Sequence, residues 1–261
     1  MLTAELSDRI AATRDGGKLA FGIYLIPGYP DWESSIAAVR EAGRAGVTFV
    51  EFPVLGEAGW SGRTGPVIAR ALTAVADDLR DGSPRFDEWL ASIGSGVGIV
   101  YGGAWPRPDR WAAPTAALRS SDALLFEDDP PDWVDYAERA RSRDVPLVCA
   151  VSGSEPECSP DDVQRLNAGG GFVYVSLGSR TGERGASREA MSRKVEAVRE
   201  VRPDLPVCCA FGIRSPADVR EVAGATGCEG VIVGTAALEV LGDGTRPFAD
   251  WLGAMMEAAA G

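Results

Sequence analysis

Val231-Ile232-Val233-Gly234-Thr235-Ala236 reads as a short buried strand that ends in Gly-Thr, with a helix starting at Ala236. Upstream, Val207-Cys208-Cys209-Ala210-Phe211-Gly212-Ile213-Arg214-Ser215-Pro216 has the same shape: apolar strand, glycine, then a Ser-Pro helix start. Two consecutive strand–Gly–helix units near the C-terminus are how a (β/α)8 barrel builds a phosphate cup. Glycine lets the backbone approach an anion, and a helix N-terminus offers N–H groups and the positive end of its dipole. A phosphorylated small-molecule ligand is therefore expected.

Working back from these units, strand and helix alternate along the chain. Strands are expected at Leu19–Ile26, Val47–Val54, Val97–Tyr101, Ala123–Phe126, Val145–Val151 and Phe172–Ser176, ahead of the two described above. Helices are expected near Asp31–Ala45, Pro66–Asp78, Arg85–Ile93, Pro131–Arg143, Pro160–Asn167, Arg188–Val201 and Phe248–Ala259, with an extra amphipathic helix at the N-terminus. Eight strands with intervening helices in 261 residues predict an α/β fold, a single (β/α)8 TIM-barrel domain over residues 1–261. A doubly wound open sheet is the alternative, but no Gly-x-Gly-x-x-Gly follows strand one, where a dinucleotide site would need it.

The net charge of −12 argues against nucleic acid or an anionic membrane as partner, and it means that any anion site must be made locally. No apolar run is long enough to span a membrane, and the N-terminus lacks a signal peptide's pattern, so a cytoplasmic protein is expected. The chain has no histidine, which removes histidine triads, histidine bases and histidine-rich metal sites. Cys149, Cys158, Cys208, Cys209 and Cys228 show no metal-site spacing and read as buried free thiols. No metal or cofactor is expected.

In a barrel the active site lies at the C-terminal ends of the strands. Glu51 sits inside the apolar strand Val47-Thr48-Phe49-Val50-Glu51-Phe52-Pro53-Val54, where a carboxylate is costly to bury unless paired or used. Desolvation there would raise its pKa and suit it to general acid work near neutral pH. Asp128 and Asp129, after strand four, would place charge at the mouth or compensate the following helix dipole. Tyr101 and Tyr174 end strands three and six and are candidates for substrate contact.

In this order and at this spacing the motifs resemble those of the tryptophan synthase alpha subunit family, over nearly the whole chain. The segments are Ile26-Pro27-Gly28-Tyr29-Pro30, Val50-Glu51-Phe52-Pro53-Val54, Glu127-Asp128-Asp129-Pro130-Pro131, Phe172-Val173-Tyr174-Val175-Ser176 with Thr181-Gly182, Ala210-Phe211-Gly212-Ile213 and Val233-Gly234-Thr235-Ala236. The resemblance implies retro-aldol cleavage of indole-3-glycerol phosphate to indole and glyceraldehyde 3-phosphate. It implies Glu51 as the acid that protonates indole C3, and Gly182, Gly212, Ile213, Gly234 and Thr235 as phosphate ligands.

One segment departs from the family pattern. The loop Val54-Leu55-Gly56-Glu57-Ala58-Gly59-Trp60-Ser61-Gly62-Arg63-Thr64-Gly65-Pro66 is about two residues longer. Thr64 stands where the family has the aspartate that handles the indole N–H, and Glu57 falls near the family's other loop aspartate. Glu57, Thr64 and Asp128 join Tyr101 and Tyr174 as possible substrate contacts, Glu57 and Asp128 being candidates to face an indole N–H. The same loop helps dock the beta subunit in the family, so that partner is doubtful for this chain. A repurposed homologue of specialised metabolism, acting on another phosphorylated or indolic substrate, and a non-catalytic homologue remain the alternatives to the lyase.

Overall fold

The structure, a computed structural model, describes residues 3–55, 59–79, 84–101, 121–128, 130, 132–142, 144–152, 155–176 and 187–261. Its elements in chain order are α1 (Thr3–Asp15), β1 (Ala20–Tyr24), α2 (Trp32–Ala45), β2 (Phe49–Leu55), α3 (Pro66–Val75), α4 (Pro84–Ala91), β3 (Gly96–Tyr101), β4 (Ala123–Phe126), α5 (Trp133–Arg141), β5 (Cys149–Ser152), α6 (Pro160–Ala168), β6 (Val173–Ser176), α7 (Arg188–Val201), β7 (Val207–Ala210), α8 (Pro216–Thr226), β8 (Gly230–Val233), α9 (Thr235–Gly242) and α10 (Thr245–Ala259).

The strands form one sheet of eight in the order β4-β3-β2-β1-β8-β7-β6-β5, and the pairings between neighbours are parallel. The seam between β4 and β5 closes through a single bridge, Leu124 to Leu147. There Leu124 N donates to Pro146 O at 3.0 Å and Val148 N donates to Leu124 O at 2.8 Å. Of residues 145–148, expected as strand, only Leu147 forms a ladder bridge among the described residues, and β5 starts at Cys149. The helix after β8 begins at Thr235, one residue earlier than expected, because Gly234 serves as its N-cap.

Side chains plug the lower end of the barrel. Phe49, at the start of β2, meets Phe172, just ahead of β6, with ring centroids 5.3 Å apart. These strands lie on opposite sides of the barrel, so the two rings fill its width. Gly22 makes room for this pair, since a Cβ on it would lie 2.5 Å from Phe49 Cζ. Gly22→Ala is therefore expected to destabilise the fold by about 1–3 kcal/mol through overpacking. A urea midpoint unchanged from the parent would contradict this. On α1, Leu6 and Ile10 are fully buried at i, i+4 spacing, and Ser7 Oγ donates to Gly171 O, which ties the extra helix to the residues just before β6.

Lys194 of α7 is fully buried. Its ammonium donates to Glu157 O at 2.8 Å and to Asp162 Oδ2 at 3.1 Å, joining α7 to the start of α6. Burial pushes the Asp162 carboxyl up, but hydrogen bonds from Ser159 and Lys194 outweigh it and hold the group below its ordinary range. Among the described residues, no helix is long and apolar enough to cross a membrane.

Candidate active site

With the bottom filled, the C-terminal ends of the strands are left to line a cavity of about 620 Å³. That volume is in the usual range for a small-molecule site. Period-two alternation along β2 puts Glu51 on the face of Phe49, so its side chain points inward. In register, Glu51 lies between Tyr24 of β1 and Val97 of β3.

Glu51 is 3% exposed, and its Oε1 has no hydrogen-bond partner among the described residues. Burial alone raises its pKa from the ordinary 4.5 to about 8. At neutral pH the group therefore holds a proton, and in a cavity wall that proton is available to a ligand.

Three tyrosines surround this acid. Tyr101 OH donates to Tyr24 OH at 3.1 Å. Tyr174 packs edge-on against Phe211, with centroids 5.9 Å apart. Burial raises all three phenols, and the neighbouring carboxyl of Glu51 adds to the rise in each. They are neutral walls of the pocket.

Gly212, Ile213, Gly234 and Thr235 line the same cavity. The N-cap of α9, Gly234, makes no side-chain cap hydrogen bond. The neighbouring Thr235 hydroxyl is buried without a partner among the described residues. Phe211 and Gly212 both take positive φ, at 74° and 69°. A bulky residue with such a φ marks strain, which recurs at ligand sites.

The second helix start does not match the first. At α8, Ser215 and Asp218 form a capping box: Ser215 Oγ accepts from Asp218 N, and the Asp218 carboxylate accepts from the backbone N–H of both Arg214 and Ser215. That N-terminus carries its own anion. The two helix starts therefore differ: a side-chain carboxylate occupies the α8 end, and no side chain caps the α9 end.

Of the residues singled out in the sequence, Glu51, Thr64, Tyr101, Tyr174, Gly212, Ile213, Gly234 and Thr235 all line this one cavity. Asp128 is exposed and outside its lining. Glu57, Asp129 and Gly182 lie outside the described residues.

The sequence reading missed Glu127, which lines the cavity. Its carboxylate accepts from Thr64 Oγ1 and, at 3.0 Å, from Ser61 N. Parity was the available signal, since Leu125 of β4 faces the cavity and Glu127 is two residues on.

A family model described as the tryptophan synthase alpha chain matches residues 114–252. A tryptophan synthase alpha chain of Mycobacterium avium is 31% identical over 243 residues, covering 89% of this chain and 86% of that relative. The one from Mycobacterium bovis is 32% identical over 235 residues, covering 85% and 82%. A structure of Mycobacterium tuberculosis tryptophan synthase matches with a TM-score of 0.79 at 25% identity, over 97% of both chains. Tryptophan synthase subunit alpha from Legionella pneumophila matches with a TM-score of 0.75 at 16% identity, over 97% of both, a likeness of fold.

Proposed function

The chain belongs to the tryptophan synthase alpha chain family, and from that premise we propose that its cavity cleaves indole-3-glycerol phosphate to indole and glyceraldehyde 3-phosphate, with Glu51 as general acid and base. As a member of the family it is a carbon–carbon lyase of tryptophan biosynthesis. The observation that carries the residue assignment is the buried carboxyl of Glu51, whose Oε1 has no hydrogen-bond partner among the described residues, in the wall of a cavity that is also lined by the start of α9.

Chemically, the bond from indole C3 to the glycerol carbon must break. C3 must gain a proton, and the hydroxyl on the departing carbon must lose one to become an aldehyde. Neutral Glu51 gives its proton to C3. The resulting carboxylate takes the hydroxyl proton as the carbon–carbon bond breaks, and its electron pair returns to the indole ring. Glu51 ends protonated, as it began, and the products together are isomeric with the substrate. A pKa of about 8 lets one group play both parts near neutrality.

The phosphate would be held by the α9 N-terminus, Gly234 and the Thr235 hydroxyl, with Gly212 and Ile213 of the β7 turn, and Gly182 as a further candidate. Backbone N–H groups suit a chain of net charge −12, because they grip an anion without needing a cationic surface. Tyr101, Tyr174 and Tyr24 would enclose the indole ring. A buried acid whose Oε1 has no partner among the described residues speaks against a homologue that only binds. Phosphorylated substrates of this size do not cross membranes unaided, and we place the reaction in the cytoplasm.

Purified protein given indole-3-glycerol phosphate should release indole and glyceraldehyde 3-phosphate in equal amounts. No release, with the phosphate ester still bound, would overturn the lyase assignment.

The loop between β2 and α3 bears on the partner. Ser61 and Thr64 tie it down onto Glu127 at the end of β4. We expect the chain to act without tight docking of a beta subunit. An equimolar mixture with a bacterial beta subunit should elute as two separate species in gel filtration. Co-elution with tryptophan formation from the lyase substrate and serine would contradict this.

A further inference from the structure

Protonating an indole at C3 puts positive charge on the ring, and N1 carries much of it. A group that accepts the N–H hydrogen bond, or takes that proton, lowers the barrier to that step. The cavity holds a second carboxyl suited to this work. Glu127 follows β4 directly, and its backbone N donates to Val100 O at 3.0 Å, so the residue is anchored to the neighbouring strand. Its side chain lines the same cavity as Glu51. The charge of either carboxyl raises the phenols of Tyr24 and Tyr101, which line the same cavity.

Glu127 is also held in place. Thr64 Oγ1 donates to one carboxylate oxygen, and Ser61 N donates to the other at 3.0 Å. Two donors fix the plane of the carboxylate. Because a carboxylate has about four acceptor positions, room remains for a third donor from the cavity. Thr64 is the position at which the loop departs from the family pattern, and the residue there donates to a carboxylate instead of being one.

We propose that Glu127, positioned by Thr64 and Ser61, is the cavity's acceptor for the indole N–H of the substrate. This rests on the lyase reading above. The carboxylate that serves N1 then comes from the end of β4, and the loop supplies the hydroxyl and the amide that aim it.

The test separates N–H recognition from turnover. The probes are indole-3-propanol phosphate, which lacks the hydroxyls needed for cleavage, and its N1-methyl derivative, measured by calorimetry. Wild-type protein should bind the N1-methyl probe about tenfold or more weakly, as expected for a lost hydrogen bond to a charged acceptor. In Glu127→Ala that preference should shrink to about twofold or less. Indole release should fall about 100-fold or more in Glu127→Ala, mainly in kcat, and recover in part when Thr64→Asp is added. Thr64→Val, which keeps the carboxylate but removes one of its donors, should lie between.

If Glu127→Ala keeps the wild-type preference for the N–H probe, or wild-type protein shows no preference, the assignment is overturned. Cleavage that fails while the Glu127-dependent preference persists would overturn the lyase reading alone. Normal cleavage in Glu127→Ala would overturn the assignment and leave the lyase reading standing.

Discussion

Glu51→Gln is expected to lower the rate of indole release by about 100- to 10,000-fold while leaving affinity for a phosphate ester nearly unchanged. Gln keeps the shape of the side chain but cannot give a proton to carbon. The loss should fall on kcat, because the group acts on the ring and not on the phosphate. In the wild-type enzyme the protonation step should fade as pH rises past about 8, where Glu51 loses its proton.

The same substitution should stabilise the fold at neutral pH. Glu51 has an ordinary pKa of 4.5 when exposed and about 8 when buried here. Below pH 4.5 both states hold the proton and burial costs little. Between pH 4.5 and 8 the unfolded chain releases the proton while the folded chain keeps it, so stability falls as pH rises. Gln removes that dependence, and at pH 7 it should add on the order of 1–3 kcal/mol. A variant more stable than its parent and nearly inactive is what a group retained for chemistry predicts. A salt-bridging glutamate would give a destabilised variant. Denaturant unfolding of both proteins at pH 4.5 and pH 8 distinguishes the two.

Gly234→Asp is the second large effect. Asp is a good N-cap, and at this position its carboxylate would accept from the first N–H groups of α9. It would stand where the phosphate is proposed to sit. Each hydrogen bond to a charged group is worth about 1.5–3 kcal/mol, so losing two of them costs about 100-fold or more in affinity. Like-charge repulsion adds to that loss. The new Cβ would lie 3.3 Å from Tyr24 Cβ, a tight contact. The expected result is a folded protein with thermal stability near that of the parent and a KM for indole-3-glycerol phosphate raised at least about 100-fold. Binding of inorganic phosphate should weaken in parallel. An unchanged KM would remove the α9 N-terminus from the phosphate site.

The barrel was legible because its signals are local. Apolar runs such as Val207–Ala210 and Gly230–Val233 are short, bounded by Gly, Ser or Pro, and separated by helical patterns. Period two inside β2 was enough to turn Glu51 inward; Tyr101 ends β3 as expected, whereas Tyr174, expected to end strand six, is the second residue of β6, and both line the cavity. Extended backbone at 145–148 reads as strand in sequence, but whether it pairs depends on the seam with β4, a tertiary matter.

The two C-terminal helix starts were half legible. The starts of α8 and α9 look alike when only Gly and the following helix are compared. The difference lies three residues further on, where Asp218 completes a capping box with Ser215 and Val-Gly-Thr-Ala-Ala has no counterpart. Glu127 was hidden for two reasons. With Asp128, Asp129 and two prolines after it, Glu127 reads as part of a charged loop and not as a continuation of the β4 alternation. The Thr64–Glu127 hydrogen bond joins residues 63 positions apart, and no local pattern announces it.

The most direct measurement is indole release from indole-3-glycerol phosphate under single-turnover conditions, comparing wild-type protein with Glu51→Gln at pH 7. The account predicts one indole per active site from the wild type and a rate about 100-fold or more lower from the variant, with both proteins binding the substrate alike. Equal rates from the two proteins would contradict it, because the proton on C3 would then come from another group.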